Sequence, residues 1–122
     1  MKTQIIRVDT TEKDWDKQLD HAAEILRSGG MVAFPTETVY GLGANALDEA
    51  AVEAIYKAKG RPSDNPLIVH ITDTDAIKTL SDNTPETAHI LMNAFWPGPL
   101  TLVMPRSSMV PDIITAGQIG RA

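Results

Sequence analysis

Three cations stand at alternate positions in one short stretch, Lys57, Lys59 and Arg61. The chain as a whole carries a formal charge of −5, so this is a local cluster on an acidic background. Gly60 and Pro62 stop the helix expected before them, because glycine accepts the left-handed cap and proline cannot continue a helix. A cationic loop held open in this way suits a phosphate or a carboxylate. The plainer alternative is a solvated helix end, where lysine and arginine complement the negative pole of the dipole. His70 follows a few residues on, at the end of the apolar run Pro66-Leu67-Ile68-Val69. A lone histidine at a strand end is more often a packed or surface residue than a ligand, but its closeness in sequence to the loop makes it a candidate.

A second set of polar groups lies upstream. Met31 to Pro35 is apolar and bounded by Gly30, as suits a strand buried on both faces. It runs into Thr36-Glu37-Thr38-Val39-Tyr40-Gly41-Leu42-Gly43. If that segment stays extended, Thr36, Thr38 and Tyr40 share one face, because side chains alternate with period two. That face would carry three hydroxyls, and Gly41 and Gly43 would let a ligand or another backbone approach closely. The alternative is that threonine and tyrosine are there simply as good strand formers.

The elements that would position these groups alternate between strand and helix. Gln4–Val8 reads as a strand and Asp9-Thr10-Thr11 as a helix cap, leading into a helix over Trp15–Arg27 with Trp15 and Leu19 in the core. His21 is expected to be exposed. A second helix runs from Asp48, its N-cap, to Lys59, burying Ala51, Val52, Ile55 and Tyr56. A strand over Pro66–Ile71, helices over Thr72–Leu80 and Pro85–Phe95, and an apolar strand over Leu100–Met104 follow. Trp96 plugs the core, and Met109–Thr115 is a weak last strand or loop. This order predicts an α/β fold with a twisted, largely mixed or parallel sheet flanked by helices.

Composition narrows the function. The 122 residues suggest one domain or a piece of one, and 43% hydrophobic residues suffice for a core. A pI near 5.0 argues against a domain-wide nucleic-acid footprint. With no cysteine and three scattered histidines, neither a disulfide nor a protein-held metal site is expected. No signal-like leader or membrane-length apolar run occurs, so a cytoplasmic location without membrane contact is expected. P-loop, zincin and nucleophile-elbow motifs are absent, and Gly41-x-Gly43 is only a fragment of the dinucleotide pattern. The enzyme hypothesis left is electrostatic: cations hold polyanionic phosphates while hydroxyls and amides position a small substrate.

Three segments together, Phe34-Pro35-Thr36-Glu37-Thr38-Val39-Tyr40-Gly41-Leu42-Gly43, Lys59-x-Arg61-Pro62-x-x-Asn65-Pro66-Leu67-Ile68-Val69-His70 and Trp96-Pro97-Gly98-Pro99-Leu100-Thr101, resemble the YrdC-like threonylcarbamoyl-adenylate synthase family. The resemblance spans about Ile5 to Gly117. It implies that L-threonine and bicarbonate (or CO₂) form a carbamate that attacks the α-phosphate of ATP. The products are threonylcarbamoyl-AMP and pyrophosphate, and a partner enzyme then transfers the threonylcarbamoyl group to tRNA. By the same resemblance Lys59 and Arg61 act electrostatically on the ATP phosphates, and Asn65 lies on the nucleotide side. Thr38 and His70 contact threonine, with Thr36 and Tyr40 lining that pocket. Mg²⁺ is expected with the ATP.

The family domain is longer than this chain. Its further arginine-ended strand and Ser-x-Asn nucleotide motif have no counterpart here. Residues 1–122 are therefore expected to be the N-terminal portion of a YrdC-like domain, incomplete at its C-terminal end. Such a chain is expected to be inactive alone and to need a second copy, as a homo-oligomer, to cover its open face. Two alternatives stand beside the synthase. One is an RNA-binding module of the same fold, meeting tRNA or double-stranded RNA through Lys57, Lys59 and Arg61 without chemistry. The other is the related carbamoyl-transfer domain of hydrogenase maturation, which the Pro66–His70 run resembles less.

Overall fold

The computed structural model describes residues 2–60 and 66–115. It divides into two compact units, Met1–Asn45 and Ala46–Ala122.

In the first unit a 3-10 turn over Trp15–Leu19 runs into helix α1, Asp20–Arg27. Gly29, at φ 88, turns the chain after α1 with a backbone that a Cβ would strain. Strands β1 (Val32–Phe34) and β2 (Gly41–Gly43) then pair antiparallel, with Val32 opposite Gly43 and Phe34 opposite Gly41. The sheet expected to be largely mixed or parallel is thus, among the described residues, an antiparallel pair. The link between the strands is far too short for a parallel crossover, which needs a dozen residues or more. Trp15 and Leu19, expected in the core, are about two-fifths exposed. Their stretch starts as a 3-10 turn, which eclipses side chains at i and i+3 and breaks the stripe a helix would have made. Asp9 does not cap a helix. Its carboxylate accepts from the Thr11 amide at 3.0 Å and from the Thr11 hydroxyl, a local Asx turn.

The second unit holds the core. Helix α2, Glu49–Lys59, begins at Asp48, whose carboxylate accepts from the Ala51 amide at 3.2 Å. It ends at Gly60, which adopts the left-handed cap at φ 60. Ala51, Val52, Ile55 and Tyr56 fall on one helical face and are buried, as the apolar spacing predicts. The helix expected over Thr72–Leu80 shrinks to a 3-10 turn, Thr74–Ala76, and one turn of helix α3, Ile77–Leu80. Asp73 is the reason for the late start: it takes an extended backbone and accepts from the Ala76 amide, capping there. Helix α4 spans Glu86–Phe95 and buries Ala88 and Met92.

Two apolar clusters fill this unit. One gathers Val52, Tyr56, Leu80, Val110 and Ile114; the other gathers Ile77, Ala88, Met92 and Met104, with Trp96 packed against it. The segments expected as strands, Pro66–Ile71 and Leu100–Met104, join no ladder among the described residues. They keep a strand's alternation all the same: Leu67, Val69 and Ile71 turn to the clusters while Ile68 and His70 are exposed. The weak last strand is instead a 3-10 turn, Asp112–Thr115.

Candidate functional site

Each unit contributes one group of candidates. In the second unit, Lys57 and Lys59 occupy the last turn of α2 and are exposed. The helix ends just beyond them because Gly60 takes a conformation that residues with a Cβ avoid. The negative pole of the helix and the αL cap therefore fix where the Lys59 stem leaves the fold. Arg61 and Asn65 lie outside the described residues.

His70 is exposed, and its Nδ1 lies 3.1 Å from the Ile68 carbonyl. A carbonyl only accepts, so Nδ1 carries the proton and donates. In the neutral ring Nε2 is then an acceptor. That is the form suited to receiving a hydroxyl or ammonium proton from a small ligand.

In the first unit the expected three-hydroxyl face does not form as an extended strand. Residues 35–40 are the connection between β1 and β2, with bends at 37–39. Thr36 is turned into this loop. Its hydroxyl donates to the Val39 carbonyl and accepts from the Thr38 amide at 3.2 Å. It closes the loop as an ST turn rather than offering a free hydroxyl. Thr38 and Tyr40 are exposed on that loop, Tyr40 at 76%. Thr38 and Tyr40 thus share a loop with Thr36, but they do not share a strand face.

The loop's base is set by a contact that the sequence does not announce. The Phe34 ring crosses to the opposite strand and lies over Gly41 and Gly43. A Cβ on Gly43 would sit 2.8 Å from that ring, and one on Gly41 3.1 Å. Two glycines in β2 are the only trace of this in the sequence, and they read equally well as room for a ligand. Two further residues escaped the sequence reading. Tyr56 belongs to the buried stripe of α2, yet its hydroxyl also donates to the Ile113 carbonyl at 3.1 Å. Arg106 reaches the Val110 carbonyl at 2.8 Å and the Asp112 carboxylate. No local pattern marks either contact.

Among the described residues no three His, Cys, Asp or Glu side chains cluster to hold a metal. None of the helices described is long and apolar enough to cross a membrane.

The described residues place a basic helix end and an exposed histidine in one unit and a hydroxyl-bearing hairpin loop in the other, within a chain of helices and one antiparallel strand pair of α/β class. Comparison with known proteins gives the family. The family model described as telomere recombination (Sua5, YciO and YrdC) matches residues 24–120. This chain belongs to that family. It is 55% identical over 115 residues to a threonylcarbamoyl-AMP synthase of Pyrococcus abyssi, covering 94% of this chain and 33% of that one. It is 52% identical over 120 residues to the threonylcarbamoyl-AMP synthase of Bacillus subtilis, covering 96% of this chain and 35% of that one. Among solved structures, P. abyssi Sua5 complexed with L-threonine is similar at a TM-score of 0.82 and 55% identity, over 87% of this chain and 31% of that one. A double variant of the same protein gives a TM-score of 0.86 at 52% identity, over 93% and 33%. The chain thus spans about a third of the length of the curated relatives it matches.

Proposed function

We propose that this chain carries the substrate-binding part of a threonylcarbamoyl-AMP synthase and is the N-terminal portion of a YrdC-like domain. The observation that carries the reading is its 55% identity, at a TM-score of 0.82, to a relative solved with L-threonine. The neutral amine of L-threonine attacks the bicarbonate carbon, a C–O bond breaks and water leaves, giving a carbamate. The carbamate oxygen attacks the α-phosphorus of ATP, and the bond to the bridging oxygen breaks to release pyrophosphate. A second, tRNA-modifying enzyme then consumes the threonylcarbamoyl-AMP, in the cytoplasm.

In-line attack at phosphorus needs positioning and charge neutralisation more than a strong base. Lys59, with Arg61, supplies the charge, and Asn65 a nucleotide contact. Thr38 and Tyr40 offer hydroxyls to threonine, and His70 offers Nε2 as acceptor. Thr36 acts at one remove, by shaping the loop that presents Thr38. Mg²⁺ enters with the triphosphate of ATP. The rest of the twisted sheet, including ladder partners for Pro66–Ile71 and Leu100–Met104, belongs to the same proposal.

Equilibrium binding of Mg-ATP and of L-threonine to the purified chain tests the reading, together with pyrophosphate release. Binding of both ligands, with any pyrophosphate release requiring both threonine and bicarbonate, is the expected result. A chain that binds neither ligand would sink it. Lys59→Ala should weaken ATP binding and leave threonine binding in place, and Thr38→Ala should do the reverse.

A further inference from the structure

Tyr56 and Leu67 stand on opposite flanks of residues 61–65, and both are tied to one 3-10 turn. The Tyr56 hydroxyl donates to Ile113 O at 3.1 Å, and the Leu67 amide donates to Ile114 O at 3.0 Å. The turn is itself firmly closed. Ile114 N donates to Pro111 O at 3.2 Å, the Thr115 hydroxyl donates to Asp112 O at 2.9 Å, and both side chains are buried. One guanidinium holds the entrance to this turn. Arg106 donates from one nitrogen to Val110 O and from the other to the Asp112 carboxylate, on either side of Pro111. Arg106 is fixed in its turn, pairing with Ser81 in an isolated bridge beside a Ser107 amide that donates to Leu80 O at 2.8 Å.

We propose that Arg106 is a positioning residue for the phosphate site. Through the 112–115 turn it fixes the end of α2, which carries Lys59, relative to the segment that carries His70. A planar fork holds both contacts at a fixed angle, whereas a lysine ammonium is a point charge on a flexible stem. The inference rests on the assignment of Lys59 to ATP phosphates.

The test compares Arg106→Lys and Asp112→Asn with the unaltered chain, by Mg-ATP affinity and by amide exchange at Leu67 and along α4. Asp112 is largely exposed, so its variant keeps the fold even if the arginine variant does not. Arg106→Lys should speed Leu67 exchange by about tenfold and weaken ATP binding by about five- to tenfold, the range of one ordinary net hydrogen bond. The α4 amides should stay within about twofold, since their hydrogen bonds lie within the helix and a local opening leaves them closed. Asp112→Asn should move both readouts the same way by less, and Asp112→Glu should restore them. Equal acceleration at Leu67 and α4 would show general destabilisation and overturn the proposal, as would unchanged ATP affinity in Arg106→Lys. An unaltered chain that binds no ATP overturns the ATP assignment and the nucleotide role together. Leu67 exchange then still tells whether Arg106 holds the turn.

Discussion

The unit that contains Thr36, Thr38 and Tyr40 has no buried side chain among its described residues, whereas the unit that contains Lys59 and His70 has all of them. The first unit is held by main-chain ladder bonds, an Asx turn, an ST turn and one aromatic ring over two glycines. The second is held by two apolar clusters against which α2, α3 and α4 lie. Candidate ligand groups are therefore presented in two different ways. In the hairpin, loop chemistry sets the geometry directly. In the second unit, core packing seats α2 through Val52 and Tyr56, the Gly60 cap ends it, and that end sets where Lys59 emerges.

That contrast is broken or sharpened first by core truncation. Met92→Ala or Ile114→Ala should cost about 2–5 kcal/mol in urea unfolding, because each removes a side chain left almost wholly inaccessible. Val39→Ala, at a side chain 75% exposed, should stay within about 0.5 kcal/mol. Similar losses at the two sites would erase the distinction. Next in size is the hairpin's packing. Gly43→Ala brings a Cβ within 2.8 Å of the Phe34 ring and should cost about 1–3 kcal/mol. Adding Phe34→Leu should recover part of that loss, and a purely additive double variant would show that the ring is not the obstacle. A smaller effect is expected at the start of α2. Asp48→Ala removes the cap on Ala51 and should cost about 1 kcal/mol, with Asp48→Asn largely neutral.

The smallest effect concerns acid. The Thr11 hydroxyl, and then the Thr11 amide, hold the Asp9 carboxyl below its ordinary value. A carboxylate whose folded pKa is depressed contributes stability above its unfolded pKa and loses it as pH falls through the folded pKa. Thr11→Ala should move the Asp9 titration, followed by NMR, back up toward the ordinary value. An unmoved midpoint would show that the hydroxyl is not the cause.

Helix α2 was legible because three local signals agreed: a capping aspartate, a stripe at helical spacing and a glycine stop. The α/β class and the basic helix end followed from the same kind of evidence. The 36–40 segment was misread as extended because its period-two hydroxyls also suit a hairpin loop, and what decides is strand pairing across that loop. Trp15 looked like core because its spacing suits an α-helix, but the chain makes a 3-10 turn there. The Arg106 contacts had no sequence signature, since only the fold of residues 106–112 brings the Val110 carbonyl and the Asp112 carboxylate to one guanidinium. Pro66–Ile71 announced its inward and outward faces through its alternation, but alternation does not name a partner strand.

The separation between Tyr56 and its acceptor at Ile113, 57 residues along the chain, also has a consequence in time. A hairpin such as β1–β2 forms in roughly 1–10 μs once its residues are free. A ribosome adding about 5–20 residues per second needs roughly 3–11 s to travel from Tyr56 to Ile113. During that interval the nascent chain displays its cationic helix end with neither flank anchored. The hairpin that bears Thr38 and Tyr40 can already be in place while the end of α2 still awaits the turn at residues 112–115.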